Sequence, residues 1–449
     1  MIAGVNVFRL NSSHGSYAEF SKVIADIRML NEKHNNNCAV LVDLQGPKIR
    51  IGEIEQGSLE LEIGQQIILT TVDCPGTKEK IHISYQNFPD DVEAGENILI
   101  DDGKIQLTVT ESNKKDTVKA TVINGGILLP RKGVNLPNTK TSLPSLSEKD
   151  HEDLLFALEQ NADWIGLSFV RSAGDIRHLK DIISRKGNFA KVIAKIEKPE
   201  ALHVIDDIIL EADAVMVARG DLGVEMPMEE VPLIQKMVVK KCLKASRPVI
   251  IATQMMESMI TNFSPTRAEV NDVANSVIDG ADAVMLSGET SVGKFPVKAV
   301  EYMQNIIATV EKGGYEYNRH SPPNVNSSTY ISDSVCYNAC VMASQAGARA
   351  IVGMTRSGYT AFHLSSHRPS SQVIIFTDNR PLLNVLSLVW GVYGIFYDRY
   401  ESTDETIADI QKTLKEKQII TSGDILINIA SIPLGERGTA NMIKLSRVK

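Results

Sequence analysis

The chain has 449 residues, 43% hydrophobic and 23% charged, a globular composition with length for two or three domains and sizeable cores. A formal net charge of −8, with no basic stripe or Lys/Arg block, argues against nucleic acid or an anionic membrane as partner. Five scattered cysteines form no C-x-x-C pair, no apolar run reaches membrane length, and Met1 opens no signal-peptide pattern, so the expected location is the cytoplasm.

In chain order, NVFRL (6–10) and AVLVDL (39–44) read as strands flanking the helix-periodic SYAEFSKVIADIRMLNEKH, with Ser16 placed to cap it. Between 51 and 133 the texture changes to SLELEIG, QIILTT, NILID, IQLTVTES and TVKATVI, broken by Gly, Asp and Asn. These hairpin signals predict a small β-barrel domain inserted after the second strand, able to serve as a lid. Helix periodicity resumes at SLSEKDHEDLLFALEQ, where Ser147 and Asp150 form a capping box. Then WIGLSF, KVIAKI, DAVMV, PVIIAT and DAVMLS alternate with amphipathic segments, and ADAVMVARGDLG (from 212) is nearly repeated as ADAVMLSGETSVG (from 281). Seven all-apolar βα strands belong to a parallel sheet, and the expected fold is α/β, a (β/α)8 TIM-type barrel with its first βα unit missing. The absent strand is expected upstream of Met1; an open seven-stranded sheet is the alternative. The polar, Pro-containing EYNRHSPPNVNSSTY reads as a linker, followed by an alternating C-terminal three-layer α/β domain. The expected division is 1–50 and 134–315 for the barrel, 51–133 for the lid, 316–328 for the linker and 329–449 for the C-terminal regulatory domain. Cys336 and Cys340, four apart in a helical stretch, are read as a buried apolar face.

Reactive groups in a βα barrel come from the carboxyl ends of its strands. Those ends supply Arg9, Asn11 and Ser13; Asp43; Lys195 and Glu197; Arg219 and Asp221; Thr253; and Ser287 with Glu289. Glu197 and Asp221 end neighbouring strands, so their carboxylates can converge on one hard cation. Lys195 and Arg219, close beside them, are cations suited to a phosphate. Any one of these residues alone reads as an ordinary loop or cap residue. Lys195 is more telling, because a charge inside VIAKIEK needs a partner or a substrate anion. GETSVGKF (288–295) has P-loop spacing, but Phe295 replaces the required hydroxyl, Glu289 adds negative charge, and Pro296 marks a helix start. Glu289 is therefore expected to shape its loop.

The strings NVFRLNSSHG, DLQGPKIRIG, KGVNLP, VIAKIEKPEAL, DAVMVARGDLGVEMP, IIATQMMESM, PTRAEVNDVAN and ADAVMLSGET together resemble the pyruvate kinase family over nearly the whole chain. The resemblance implies phosphoryl transfer from phosphoenolpyruvate to ADP, giving pyruvate and ATP. It implies that Lys195 stabilises the phosphoryl group in flight, that Glu197 and Asp221 hold Mg2+ or Mn2+, and that Arg9 grips the substrate phosphate from the opposite side. Gly220 and Asp221, beside Arg219, match the place that receives the substrate carboxylate. Thr253 would lie over the enolate carbon, with Ser287 near the proton path. Asn11, Ser13, His14, Arg50 and Lys132 match nucleotide-side positions, the last carried by the closing lid, and the assembly implied is a homotetramer.

One departure concerns Lys48 in GPKIR, where many members carry a glutamate and resemble enzymes that need potassium. Leu44, Gln45 and Ile51 match the lysine-type pattern. The Lys48 ammonium is expected to stand where the monovalent cation would sit, near Asn11, Ser13 and Asp43, making the enzyme potassium-independent. TRSGYT, comprising Thr355, Arg356, Ser357, Gly358, Tyr359 and Thr360, resembles the family's loop for an effector sugar phosphate, with an ordinary strand-to-helix turn as the alternative. Other functional readings are a catalytically silent truncated paralogue or fragment, or another (β/α)8 enzyme acting on phosphoenolpyruvate or pyruvate, which would not need the lid or Lys132.

Overall fold

Side chains alternate between the two faces of a strand, so in a curled parallel sheet every second residue points toward the barrel axis. The computed structural model of the chain describes all residues except 314, 400–401 and 433–439. Its first strands are β1 (Val7–Asn11) and β2 (Ala39–Asp43), paired in parallel with Asn11 opposite Asp43. An inserted unit supplies β3 (Leu59–Leu61), β4 (Gln66–Thr70), β5 (Lys80–His82), β6 (Asn97–Ile100), β7 (Ile105–Ser112), β8 (Thr117–Asn124), β9 (Gly126–Leu128) and β10 (Val134–Asn135). The parallel sheet then resumes with β11 (Trp164–Leu167), β12 (Lys191–Ile196), β13 (Ala214–Ala218), β14 (Val249–Ala252) and β15 (Ala283–Val284). Its order is β1-β2-β11-β12-β13-β14-β15, so consecutive βα units lie side by side and all seven carboxyl ends open on one rim.

The two faces of these strands join different cores. Val40, Val42, Ile165, Leu167, Val192, Ala194, Val215, Val217 and Ile251 pack outward against the helices. Ala39, Leu41, Trp164, Ile193, Ala214, Met216, Ile250 and Ala252 pack inward. Continuing the inward set by two residues reaches Asp43 on β2 and Lys195 on β12. Placement of the polar side chains is thus fixed by the same period that fixes the core.

The inserted unit carries its own core, from Ile49 to Leu136, beneath the six-stranded sheet β10-β6-β7-β8-β4-β5. Ser16 and Ser147 cap the helices Tyr17–His34 and Glu148–Glu159 through reciprocal bonds with Glu19 and Asp150, as the sequence spacing predicts. Toward the C-terminus lie β16 (Ala350–Met354), β17 (Gln372–Thr377), β18 (Val392–Phe396), β19 (Ile425–Ala430) and β20 (Met442–Arg447), in the order β18-β17-β16-β19-β20. Cys336 and Cys340 are fully buried on the helix Tyr330–Ala346, again as expected.

Two elements differ from the sequence reading. DAVMLS forms only a two-residue ladder at β15, although Met285 N–H still donates to Ile251 O at 3.0 Å. β18 was not anticipated, since VYGIF contains a glycine and sits half-exposed at a sheet edge, leaving weak periodicity. No helix among the described residues is long and apolar enough to cross a membrane.

Candidate active site

At the rim, Asp43 is almost completely shielded from water and gathers two cations. Arg9 approaches Asp43 Oδ2 through Nε and a terminal nitrogen, each at 2.6 Å. Lys195 Nζ lies 3.1 Å from Asp43 Oδ1, within ion-pair distance though not aligned as a hydrogen bond, and 2.9 Å from Glu197 Oε1. The ammonium also donates to Ser168 Oγ at 2.7 Å, and that hydroxyl donates to Leu44 O at 2.7 Å. Burial alone would push the lysine toward neutrality, yet the carboxylates of Asp43 and Glu197 outweigh it and raise its pKa above the ordinary value. Burial likewise opposes ionisation of Asp43, and Lys195 and Arg9 reverse that, holding it below the usual carboxylate range. Both partners therefore stay charged at neutral pH.

Glu197 and Asp221 form a different arrangement. Glu197 Oε2 accepts from Phe169 N–H at 2.8 Å, a geometry that needs Phe169 in the left-handed region at φ 52°. Asp221 stands in the first turn of the helix Arg219–Glu225, and among the described residues no hydrogen bond reaches its carboxylate. Burial, then repulsion from Glu197, pushes its pKa up to about 6 against the pull of Lys195 and Lys48. A buried and a partly buried carboxylate repelling each other suit one hard dication. Among the described residues no third acidic, histidine or cysteine side chain completes a metal cluster, so a cation held here keeps most of its coordination for substrate oxygens and water, as Mg2+ prefers.

Thr253 and Gly220 are brought together rather than left open. Gly220 N–H donates to Thr253 Oγ1 at 2.7 Å, and that hydroxyl donates to Ala252 O at 2.6 Å. Thr253 adopts φ 69°, which for a β-branched residue stores about 1–3 kcal/mol of strain. Arg219 does not present its guanidinium to a phosphate. Its two terminal nitrogens clamp Asp272 at 2.6 and 2.7 Å, and one also reaches Thr253 O at 2.9 Å. The cation expected here to suit a phosphate is paired with Asp272 and held against the loop of Thr253. Ser287 N–H is held by Glu289 Oε2 at 2.7 Å, while Glu289 Oε1 accepts from Met256 N–H at 3.1 Å. The buried carboxylate of Glu289 thus staples two rim loops together, the loop-shaping role its sequence position predicts.

Among the residues expected to face a nucleotide, Asn11 Oδ1 accepts from Ser13 N–H at 3.1 Å, and His14 is exposed. Arg50 bridges to Gly133 and donates to Arg131 O at 3.1 Å; Lys132 Nζ pairs with Asp101 Oδ1 at 2.8 Å. Lys48 is exposed and lines a cavity of about 250 Å³ with Gln45, Pro47, Ser84, Tyr85 and Lys149. It makes no hydrogen bond to Asn11, Ser13 or Asp43, although its charge is felt by Asp221. In TRSGYT, Gly358 N–H donates to Thr355 Oγ1 at 3.1 Å, Tyr359 N–H lies 3.4 Å from Ser357 Oγ, and Thr360 is buried. Arg356 is held by Asp378, and Tyr359 donates its hydroxyl to Asp333.

Four participants escape the sequence reading: Ser168, Phe169, Asp272 and Glu225. The first two follow β11, and the strand-end logic applied to its neighbours would have found them in ADWIGLSFVRS. Asp272 and Glu225 sit within helices, where only tertiary structure reveals a partner.

A parallel-sheet rim carrying a buried ammonium beside carboxylates suits an enzyme acting on a phosphorylated, negatively charged substrate. The family model "Pyruvate kinase, barrel domain" matches residues 1–300, and "Pyruvate kinase, alpha/beta domain" matches 333–446. A pyruvate kinase of Geobacillus stearothermophilus is 41% identical over 447 residues, covering 99% of this chain and 76% of the relative. One from Mycobacterium tuberculosis is 40% identical over 446 residues, covering 99% and 93%. The crystal structure of a pyruvate kinase from Cryptosporidium parvum superposes with a TM-score of 0.93 at 35% identity, covering 100% of this chain and 92% of that one. The chain belongs to the pyruvate kinase family, and its function is that family's transfer of the phosphoryl group of phosphoenolpyruvate to ADP.

The raised pKa of Asp221 has a measurable sign. Its ordinary value of 3.8 moves to about 6 in the folded, cation-free protein, so the folded state holds the extra proton and stability falls as pH rises between those values. Thermal unfolding across this window should show that loss without Mg2+ and recover it with Mg2+. Asp221→Asn should remove both the slope and the recovery; a wild-type midpoint indifferent to Mg2+ at pH 7 would contradict the assignment.

Proposed function

We propose that Lys195 neutralises the phosphoryl group as it passes from phosphoenolpyruvate to ADP, with Glu197 and Asp221 holding Mg2+ or Mn2+ beside it. The observation that carries this is the buried Lys195 ammonium, kept charged between Asp43 and Glu197 at the barrel rim. Phosphoryl transfer asks little covalent chemistry of a protein, so positioning and charge neutralisation supply most of the acceleration. When bound, the dication neutralises negative charge on the substrate oxygens. Arg9, fixed by Asp43, grips the phosphate from the other side. As the bond from phosphorus to the enol oxygen breaks, a new bond forms to a terminal oxygen of ADP, and the electron pair remains on enolpyruvate. Thr253 and Ser287 serve the path by which the enol carbon gains its proton. Gly220 and Asp221 offer backbone N–H groups to the substrate carboxylate, which would have to compete with Thr253 Oγ1 for the first of them. Arg219 acts by positioning Thr253.

Asn11, Ser13, His14, Arg50 and Lys132 form the nucleotide side, and the β unit is the lid that brings Lys132 in and excludes water. Potassium is not required, because Lys48 supplies positive charge that reaches Asp221. Pyruvate formation by the purified chain with phosphoenolpyruvate, ADP and Mg2+ tests this directly. Turnover should be the same with and without potassium, and Lys48→Glu should make it potassium-dependent; many-fold activation of the wild type by potassium would sink the role given to Lys48.

The TRSGYT loop is proposed as an effector site for a sugar phosphate in a homotetramer, supported by its strand-to-helix position and its hydroxyl-bearing side chains. Substrate saturation with and without hexose phosphates, on material whose mass is fixed by sedimentation, checks both. Affinity for phosphoenolpyruvate should rise with effector in a tetramer; an unchanged curve removes the effector, and a monomer mass removes the assembly.

A further inference from the structure

We propose that Glu225 is a positioning residue that ties the seating of the β lid to the carboxylate of Asp221. The proposal rests on the reading of Asp221 as a cation ligand and adds a mechanical link to it. The helix Arg219–Glu225 is short, about 10 Å at 1.5 Å per residue, so its two ends cannot move independently. Its first turn carries Asp221 beside Gly220, whose N–H is fixed on Thr253. Its last turn carries Val224 and Glu225, and both meet the lid.

Asn135 Nδ2 donates to Glu225 Oε1 at 2.7 Å. Asn135 lies on β10, opposite Leu99 of β6, and so belongs to the lid sheet. Gly103, in the turn after β6, lies beside the helix, and a Cβ there would stand at an ordinary van der Waals distance of 3.9 Å from Val224 Cγ1. From the barrel side, Lys198 Nζ donates to the same Glu225 Oε1 at 2.7 Å. Lys198 directly follows Glu197. One carboxylate oxygen therefore joins the lid, the segment carrying Glu197 and the helix carrying Asp221.

Glu225 is only 4% exposed, and its other oxygen has no hydrogen-bond partner among the described residues. A buried carboxylate with an orphan oxygen is a poor device for stability alone, since burying the charge costs several kcal/mol unless its bonds compensate. Its value lies in being complete only when Asn135 is present. An open lid removes that donor and leaves Lys198 as the single partner; a seated lid restores it and fixes the far end of the helix. Seating the lid and aligning Asp221 then become one event.

Asn135→Ala removes the donor without touching the buried acid. It should lower the melting temperature modestly, weaken the affinity for phosphoenolpyruvate with Mg2+, and lower kcat about tenfold, the factor corresponding to roughly 1.4 kcal/mol. Glu225→Gln keeps a carbonyl acceptor and should retain most of kcat, whereas Glu225→Ala should match Asn135→Ala, and the double variant should be no worse than the weaker single one. Hydrogen exchange over 97–104 with Mg2+ and phosphoenolpyruvate reads the latch without turnover, and it should quicken in Asn135→Ala. Wild-type exchange in that variant would overturn the proposal whether or not the chain turns over. So would a wild-type kcat, or losses that multiply in the double variant. An inactive wild type with an intact exchange difference would instead count against the kinase roles and leave the latch standing.

Discussion

The ion pair between Lys195 and Asp43 is the constraint on which the rest of the site depends. A lone ammonium inside a barrel would give up its proton or force water in, because isolated charge in a low-dielectric interior costs far more than a fold can spare. Asp43 and Glu197 remove that option, and Arg9 in turn neutralises Asp43. Two cations and two carboxylates leave the cluster balanced. Asp221 then adds one unmatched negative charge, relieved by a proton below about pH 6 or by a dication above it. That unmatched negative charge favours a cation beside it, with substrate anions left to balance the remainder of a dication's charge.

Backbone geometry holds that arrangement. Parallel pairing sets Asn11 level with Asp43, and Gly166 level with the same residue from the other side. A Cβ at Gly166 would fall 2.8 Å from Asp43 Oδ1, so only glycine leaves space for the carboxylate that receives Lys195. Around the rim, Glu289 staples the loops after β14 and β15, while Asp272 immobilises Arg219 against the strained Thr253. The far end of the barrel is tied to the C-terminal unit by Arg368, wholly buried and paired with Asp282 at 2.9 Å just before β15. These contacts fix the rim from below and around, while the inserted β unit carries a separate core of its own.

Much of this was legible in the sequence because one period governs both core and chemistry. Inward residues Leu41 and Ile193 predict that Asp43 and Lys195, two positions on, face the axis, and polar residues after apolar runs marked the rim. Capping at Ser16 and Ser147 was equally readable, being local. What escaped depended on contacts distant in sequence. Arg219 looked like a free cation until Asp272, 53 residues away, was seen to occupy it. Glu225 lay unremarked inside GDLGVE, since its partner Asn135 is 90 residues earlier in the chain. Lys48 stands out by its motif, but its exposed position on a cavity beside the inserted β unit, away from hydrogen bonds to Asn11 and Ser13, is a tertiary fact. Strand β18 was hidden by edge exposure and an interior glycine.

The most direct measurement is the single-turnover rate of phosphoryl transfer in Asp43→Asn, with folding checked by circular dichroism. Asparagine keeps the shape but withdraws the charge that holds both Lys195 and Arg9. The account predicts a folded protein that binds Mg2+ and transfers the phosphoryl group at least about a hundredfold more slowly, the scale of losing one organised charge partner. Transfer at the wild-type rate would contradict the claim that Asp43 maintains the charged Lys195 on which the reaction depends.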